Sequence, residues 1–195
     1  MTDERVLEAM RRVPRAGFVP ADLAARAYVD EPLPIPHGQV TTQPSLVARM
    51  VEALGLDGDE RVLEVGTGHG FQTALLGELA AAVWSVERFP DLAETARANL
   101  ERHGARFVEV VVGDGTLGLP EHGPYDAIVV SAAHPTVPEP LAEQLVPGGR
   151  LVHPLGPGGR EDVALFERGP RGLVRRGSII GAHFVRLVGE RGFDE

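Results

Sequence analysis

Residues 62–70 read Val62-Leu63-Glu64-Val65-Gly66-Thr67-Gly68-His69-Gly70, an apolar run that contains one glutamate and ends in three alternating glycines. The apolar run predicts a buried strand, and the glycines predict a tight turn into the helix that follows. Glycine adopts positive φ without strain and has no Cβ, so the backbone of such a turn can approach a ligand closely. The stretch therefore predicts a strand-turn-helix unit that binds a ligand.

Helix and strand patterns alternate on both sides of this unit. SLVARMVEALGL (45–56), FQTALLGELAAA (71–82) and DLAETARANLERHG (91–104) predict helices, with Thr42 as the N-cap of the first one. RVLEVG, VWSVE, the VEVVV stretch and YDAIVVSAA predict strands between them. Such alternation is typical of βαβ units, so the predicted fold class is α/β, a doubly wound and mostly parallel sheet with helices on both faces. After residue 159 the pattern alternates around a Gly-Pro-Arg-Gly turn, which predicts antiparallel edge strands.

The 195 residues fit one α/β domain with a full core. We expect residues 1–44 to form an N-terminal helix and a loop layer over the ligand site, residues 45–158 to form the binding core, and residues 159–195 to form the C-terminal strands. The layer before residue 45 is rich in proline and glycine, and long irregular segments of compact domains are often functional.

Composition excludes several classes of function. The net charge is −9, and no cluster of lysine and arginine offsets it, so we expect no nucleic-acid partner. Because no apolar run reaches membrane-spanning length, we expect no membrane partner and a cytoplasmic location. The absence of cysteine excludes disulfides, thiolate nucleophiles and zinc-cysteine sites, and the histidines lack metal-ligand spacing, so we expect no metal. We expect a monomer.

Two classes of cofactor use a glycine turn after a strand, and the glycine spacing separates them. The dinucleotide fingerprint is G-x-G-x-x-G, whereas this turn is G-x-G-x-G and has Phe71 where the third glycine would fall. The E-x-G-x-G-x-G form resembles motif I of the class I S-adenosylmethionine methyltransferases. Glu87 ends the next strand, where a carboxylate can accept hydrogen bonds from ribose hydroxyls. The resemblance implies a Rossmann-like methyltransferase fold that uses S-adenosyl-L-methionine and releases S-adenosyl-L-homocysteine.

A third element, Gly113-Asp114-Gly115, follows the third strand, where this resemblance places the contact with adenine. Three successive strand ends on one side of the sheet form the crevice in which open α/β sheets bind ligands. The predicted cofactor-binding residues are Gln39, Glu64, Gly66, Thr67, Gly68, His69, Glu87, Arg88, Asp114 and Gly115.

The proline-rich layer carries a more specific resemblance. The stretches AMRRVPRAGFVP, AYVDEPLPIPHGQVTTQPSLVARM and FVRLVG are similar, in order and spacing, to the protein-L-isoaspartate (D-aspartate) O-methyltransferase family. The family has a G-Q-T-I-S-Q-P-like signature that corresponds to residues 38–44, so its serine associated with catalysis corresponds to Thr42. Its valine-proline-leucine segment, which helps to hold the substrate peptide, corresponds to residues 185–187, with Arg186 in place of the proline.

The resemblance implies methylation of the carboxylate of L-isoaspartyl residues in damaged proteins or peptides, which initiates repair through a succinimide. It implies Thr42 as the catalytic residue, and the implied substrate-binding residues are Thr41, Thr42, Val185, Arg186 and Leu187. A carboxylate with a pKa of about 3.9 is already ionised at neutral pH, so the reaction requires no general base. Two alternatives stay open at this point: a related carboxyl methyltransferase for a dedicated peptide or small-molecule acid, and a non-catalytic module that binds S-adenosylmethionine.

Overall fold

The structure is a computed structural model that describes residues 2–194. A short hairpin of two strands precedes the main sheet: β1 (Leu33–Pro34) and β2 (Val40–Thr41). The main sheet contains β3 (Arg61–Val65), β4 (Ala82–Glu87), β5 (Val108–Val112), β6 (Tyr125–Val130), β7 (Leu145–Leu155), β8 (Glu161–Gly169) and β9 (Gly172–Ala182).

The helices are α1 (Glu4–Arg12), α2 (Pro44–Leu54), α3 (Phe71–Gly77), α4 (Pro90–Arg102) and the short α5 (Glu139–Glu143). Single 3-10 turns lie at Arg15–Phe18, Ala21–Arg26, Pro36–Gly38, Gly115–Leu117 and Pro120–His122. Within residues 2–194, no helix is both long and apolar enough to cross a membrane.

The order of strands in the main sheet is β5-β4-β3-β6-β7-β8-β9. The first five strands in this order, β5, β4, β3, β6 and β7, run parallel to one another, and β8 and β9 continue the sheet as antiparallel strands. The prediction of a mostly parallel α/β sheet with antiparallel C-terminal strands is confirmed. Val65 pairs with Val86 on one side and with Val130 on the other, so three parallel strands end at one level of the sheet edge. That edge is where ligands bind in folds of this class.

The apolar residues on one face of α2 pack into the core, as their spacing in the sequence predicts. Leu46, Val47, Met50, Val51 and Leu54 are all buried, and they join the core that covers one face of the sheet. Gly55 ends the helix in the left-handed conformation, with φ of 58°, which favours glycine. A second apolar cluster, which includes Leu63, Ile128 and Leu151, fills the opposite face of the sheet.

Some details differ from the sequence expectations. Thr42 is not the N-cap of α2, because the helix begins at Pro44 and Gln43 occupies the cap position without a side-chain hydrogen bond. Proline fits the first helical position since its missing N–H is not needed there. The α3 helix ends at Gly77 and not near residue 82, because pairing with β3 takes Ala82 into the sheet. The loop layer also contains the β1–β2 hairpin, which the proline-rich pattern did not predict.

Candidate active site

A cavity opens at the carboxyl ends of β3, β4 and β6, where the sheet edge meets the loop layer and the C-terminal segment. Its walls contain all the sequence-predicted site residues except Glu64 and Asp114. The lining consists of Ile35, Gln39, Val40, Thr41, Thr42, Val47, Val65, Gly66, Thr67, Gly68, His69, Phe71, Gln72, Val86, Glu87, Arg88, Leu92, Gly115, Ser131, Ala132, Val185, Arg186, Leu187 and Val188.

The glycine turn, residues 66–70, forms one wall of this cavity. Gly66 and Gly68 have φ angles of 96° and 55°, values that other residues adopt only under strain. The N–H of Gly66 donates to the carbonyl of Val86 at 2.9 Å, so the turn is hydrogen-bonded to the neighbouring strand. A Cβ on Gly66 would lie 3.3 Å from the Cβ of Ser131, which is closer than most packing contacts. The backbone is therefore open to a ligand here and fixed in position.

Glu87 lies at the end of β4 and connects two parts of the wall. Its Oε2 accepts a hydrogen bond from the N–H of Gly68 at 2.8 Å, and its Oε1 accepts one from the N–H of Phe89 at 3.1 Å. Burial raises the pKa of Glu87 above its usual value, although the hydrogen bond from Gly68 opposes that shift. Each carboxylate oxygen can accept more than one hydrogen bond, so the group can also bind hydroxyls in the cavity.

Glu64 lies one layer below the turn and does not line the cavity. Its Oε2 accepts hydrogen bonds from Thr73 Oγ1 at 2.5 Å and Ser85 Oγ at 2.6 Å, and its Oε1 accepts one from Gln72 Nε2 at 2.9 Å. Burial raises the pKa of Glu64 to about 7, against these hydrogen bonds, which favour the charged form. Its position corrects the expectation of a direct cofactor contact, because full burial leaves Glu64 to support Gln72 from beneath.

Asp114 also lies outside the cavity, in a neighbouring hollow beside the C-terminal residues. Its carboxylate accepts hydrogen bonds from the N–H and hydroxyl of Thr116 at 2.9 and 2.7 Å, and from the N–H of Glu190 at 2.7 Å. Burial opposes ionisation, but these hydrogen bonds outweigh it and lower the pKa of Asp114. The carboxylate therefore anchors the C-terminal segment, and since Arg88 and Val188 line both this hollow and the cavity, the adenine contact of Asp114 stays a prediction. Gly115, the next residue, does line the cavity.

His69 lies within the glycine turn, and its side chain is nearly fully buried in the cavity wall. Burial lowers the pKa of His69, so the ring is neutral at neutral pH. Its Nδ1 has no hydrogen-bond partner among the described residues. A buried ring nitrogen without a partner is costly unless a bound group or water satisfies it. This nitrogen indicates that a polar ligand completes the wall.

The acceptor loop, residues 36–44, folds over the glycine turn. The β1–β2 hairpin pairs the two residues of β1, just before the loop, with the two residues of β2 inside it. Ile35 packs close to the turn, with its Cδ1 3.4 Å from the position of a Cβ on Gly68. Near the start of the loop, His37 stacks on Phe89 with ring centroids 4.2 Å apart and contacts the carboxylate of Asp91 at 2.8 Å. These contacts bring the loop to the same side of the sheet as the glycine turn.

Arg15 holds the end of the acceptor loop from inside the protein. The side chain is buried, and its Nη2 donates to the carbonyls of Thr41 and Thr42 at 3.4 and 3.0 Å. The same guanidinium donates to the carbonyls of Ala27 and Glu31 at 2.6 and 3.2 Å. One side chain thus joins four backbone carbonyls from three segments of the loop layer, and it fixes the backbone of Thr42 at the cavity.

The C-terminal segment, residues 185–188, completes the cavity. It forms a parallel bridge to Ala133, three residues after the end of β6, in which the N–H of Ala133 donates to the carbonyl of Val185 at 2.7 Å. The N–H of Leu187 donates back to the carbonyl of Ala133 at 2.8 Å. Backbone pairing therefore places Val185, Arg186 and Leu187 beside the same cavity as Thr42.

Three further residues contribute to the site and were not predicted. Ser131 follows β6, so the rule that ligands bind at strand ends would have found it. Gln72, in the first turn of α3, donates to Ser131 Oγ at 3.0 Å as well as to Glu64. Arg15 has no comparable signal in the sequence, because its contacts join segments that meet only in the folded chain.

Comparison with known proteins gives a consistent assignment. The family model of the protein-L-isoaspartate(D-aspartate) O-methyltransferases matches residues 1–192. A protein-L-isoaspartate O-methyltransferase of Methanoculleus marisnigri is 55% identical over 98% of this chain and 86% of its own length. One of Aeropyrum pernix is 51% identical over 100% of this chain and 76% of its own length.

Solved structures agree with these relatives. A structure of a protein-L-isoaspartate O-methyltransferase is 32% identical and superimposes with a TM-score of 0.86 over 97% of this chain. This chain spans 63% of the length of that protein. A Plasmodium falciparum structure, described as a complex with S-adenosyl-L-homocysteine, is 21% identical and has a TM-score of 0.83, which shows the same fold.

Proposed function

The chain belongs to the protein-L-isoaspartate (D-aspartate) O-methyltransferase family, and on this premise we propose that it methylates the carboxylate of L-isoaspartyl residues in damaged proteins and peptides, using S-adenosyl-L-methionine. One observation carries this proposal. The acceptor loop with Thr42 and the glycine turn with Gly66 and Gly68 line the same cavity. A cofactor site and an acceptor site that share one cavity are what a direct transfer between two bound molecules requires.

The walls of the cavity fit S-adenosylmethionine. Glu87 offers a carboxylate for hydroxyl groups, the side chain of Gln72 offers a polar contact, and Val86 and Leu92 offer apolar surface for a flat ring. When bound, the cofactor supplies an activated methyl group on a sulfonium centre. The chain's own contribution is to hold that molecule against the glycine turn and to exclude water from the acceptor side.

Thr42 is our candidate for the residue that orients the acceptor carboxylate. Arg15 donates to the backbone carbonyl of Thr42, and Thr42 is one of the residues that line the cavity. A hydroxyl can donate one hydrogen bond to an anion, which offsets part of the cost of removing the anion from water. Since the acceptor is already ionised near neutral pH, no residue needs to remove a proton before the transfer.

We also propose that residues 1–195 work as one methyltransferase domain. The cavity supports this organisation, because residues before position 45, residues of the core and residues after position 159 all contribute to its lining. A cytoplasmic location and the lack of a nucleic-acid partner are further parts of the proposal and rest on composition. A monomeric state is also part of the proposal.

The decisive experiment measures methyl transfer from labelled S-adenosylmethionine to matched peptides that differ only in an isoaspartyl or an aspartyl residue. We expect base-labile label on the isoaspartyl peptide and none above background on the aspartyl peptide. Equal labelling of both peptides, or labelling of a small-molecule acid alone, would show a carboxyl methyltransferase with another substrate. Binding of S-adenosylhomocysteine without any transfer would indicate a module that only binds the cofactor.

A further inference from the structure

Arg186 places a positive charge at the acceptor side of the cavity. It lines the cavity together with Thr42, and its side chain is exposed. The guanidinium carbon lies 5.1 Å from the centroid of the Phe193 ring, and the Nε lies 3.6 Å from the position of a Cβ on Gly158. Phe193 is itself fixed, since its N–H donates to the carbonyl of Leu187 at 2.8 Å. The guanidinium is therefore packed on Phe193 and lies near Gly158, while Arg186 as a residue lines the cavity.

No carboxylate of the described residues forms an ion pair with Arg186. Some exposed arginines are paired, for example Arg26 with Glu31 at 2.6 Å and Arg176 with Glu167 at 2.9 Å, whereas Arg186 shares its lack of a carboxylate partner among the described residues with Arg171. The chain as a whole carries a net charge of −9, so a positive charge without an ion-pair partner at the cavity is opposite in sign to the net charge of the protein. A site of local positive charge on an acidic protein attracts anionic groups and repels cationic ones.

The backbone N–H and carbonyl of Arg186 take no part in the bridge to Ala133. In the bridge to Ala133, the hydrogen bonds are made by the carbonyl of Val185 and the N–H of Leu187. The N–H and carbonyl of Arg186 itself therefore point away from Ala133. An approaching peptide meets the free edge of this residue and its guanidinium together.

We propose that Arg186 is a specificity-determining residue that selects isoaspartyl peptides with an acidic side chain next to the isoaspartyl residue. The inference rests on the proposed function and adds the charge of the preferred substrate. Arg186 forms an ion pair with the neighbouring glutamate or aspartate of the substrate. A lysine at the same position of the peptide is disfavoured by repulsion. Because the site is partly exposed to water, the preference is about two- to fivefold for each charge, the range of surface ion pairs.

The test uses the full chain and isoaspartyl peptides that carry Glu, Gln or Lys on either side of the isoaspartyl residue. The measured quantity is the ratio of kcat/KM for the Glu peptide to that for the Lys peptide. We expect this ratio to exceed 1 in the wild-type protein, to fall toward 1 in Arg186→Gln and to invert in Arg186→Glu. Arg186→Lys should preserve it, and high salt should reduce it, because salt screens exposed charges.

A matched control separates local recognition from the overall charge. Arg171 is exposed in the turn between β8 and β9, outside the cavity lining, and Arg171→Glu changes the net charge as much as Arg186→Glu does. The ratio should stay at its wild-type value in Arg171→Glu. Equal ratios in the wild type, Arg186→Gln and Arg186→Glu would overturn the inference, and so would an equal shift in Arg171→Glu. If no isoaspartyl peptide were methylated, the proposed function would fail and this inference with it, whereas methylation without charge preference would refute this inference alone.

Discussion

The glycine turn and the acceptor loop line the same cavity, but they are held in place by different means. Both ends of the turn are attached to regular elements, β3 before it and α3 after it, and Glu87 at the end of β4 accepts a hydrogen bond from its backbone. The acceptor loop is held instead by the two-residue strands of the β1–β2 hairpin, the contacts of His37 with Phe89 and Asp91, and the hydrogen bonds from Arg15.

This difference separates the two tasks of the site. The cofactor wall, residues 66–70 together with Glu87, is joined directly to β3, α3 and β4 and so to the core of the protein. The acceptor wall consists of the acceptor loop, residues 36–44, and the C-terminal segment, residues 185–188. These segments are largely irregular, and irregular segments can change in sequence without disturbing the sheet. The two departures from the family pattern, Thr42 and Arg186, both lie on the acceptor side. The following predictions test how independent the two walls are.

Replacement of Arg15 by methionine should have the largest effect. It removes the donors to four backbone carbonyls, and each buried carbonyl without a partner costs about 1–3 kcal/mol, so we expect the free energy of unfolding to fall by on the order of 4 kcal/mol. Urea denaturation measures this change. Arg97→Met is the matched control, because Arg97 donates to one carbonyl only, that of Val110. Equal losses in both variants would show that Arg15 has no special role in holding the loop.

The Glu64→Gln substitution tests whether the buried Glu64 beneath the glycine turn titrates with a raised pKa. The readout is the pH dependence of the free energy of unfolding. The pKa of Glu64 is raised by burial to about 7, so the folded state binds more protons than the unfolded state between pH 4.5 and 7, and wild-type stability is lost as pH rises through this window. Glutamine does not titrate, so stability of the variant relative to the wild type should increase by about 3 kcal/mol over that range. Denaturation at a series of pH values measures the difference, with Glu94→Gln, exposed on α4, as control. A difference that does not vary with pH would mean that Glu64 is charged when folded.

Glu87→Ala should weaken the binding of S-adenosylhomocysteine by roughly 1–3 kcal/mol, the range for losing hydrogen bonds to a charged group. Calorimetry with S-adenosylhomocysteine and with NAD measures the loss and the choice of cofactor. Glu109→Ala, on the neighbouring strand β5 and outside the cavity lining, should leave the affinity unchanged. Undetectable binding of S-adenosylhomocysteine by the wild type together with clear binding of NAD would contradict the cofactor assignment.

Thr42→Val should have the smallest effect, and it should fall on the acceptor side alone. The change keeps the shape and removes the hydroxyl donor, so we expect kcat to decrease about tenfold, equivalent to about 1.4 kcal/mol, while the affinity for S-adenosylhomocysteine stays the same. Thr42→Ser should retain activity. Steady-state kinetics and calorimetry on the same preparations give both quantities. If the affinity for S-adenosylhomocysteine decreased as well, the hydroxyl would contact the cofactor, and the two walls would not act independently.

The sequence by itself determined the parallel α/β fold and most of the cofactor wall. Strand and helix periodicity follow directly from the local order of apolar residues, and the carboxyl ends of parallel strands must meet at one edge of a sheet. Gly66, Gly68 and Glu87 could therefore be assigned from their positions after successive strands, and the structure places all three at the cavity. The acceptor loop was found because its residues resemble a family signature, although its periodicity is weak.

Only the tertiary structure decided which of the acidic residues face the cavity and what holds the loop. Glu64 and Asp114 occupy strand ends in the sequence, yet one lies beneath the turn and the other binds the N–H of Glu190. Arg15 reaches carbonyls 12 to 27 positions away along the chain, a set of contacts that no local pattern encodes. The physical reason is common to all three. A polar side chain in the interior takes whichever partners the folded backbone brings within hydrogen-bonding distance, and these partners come from distant parts of the chain.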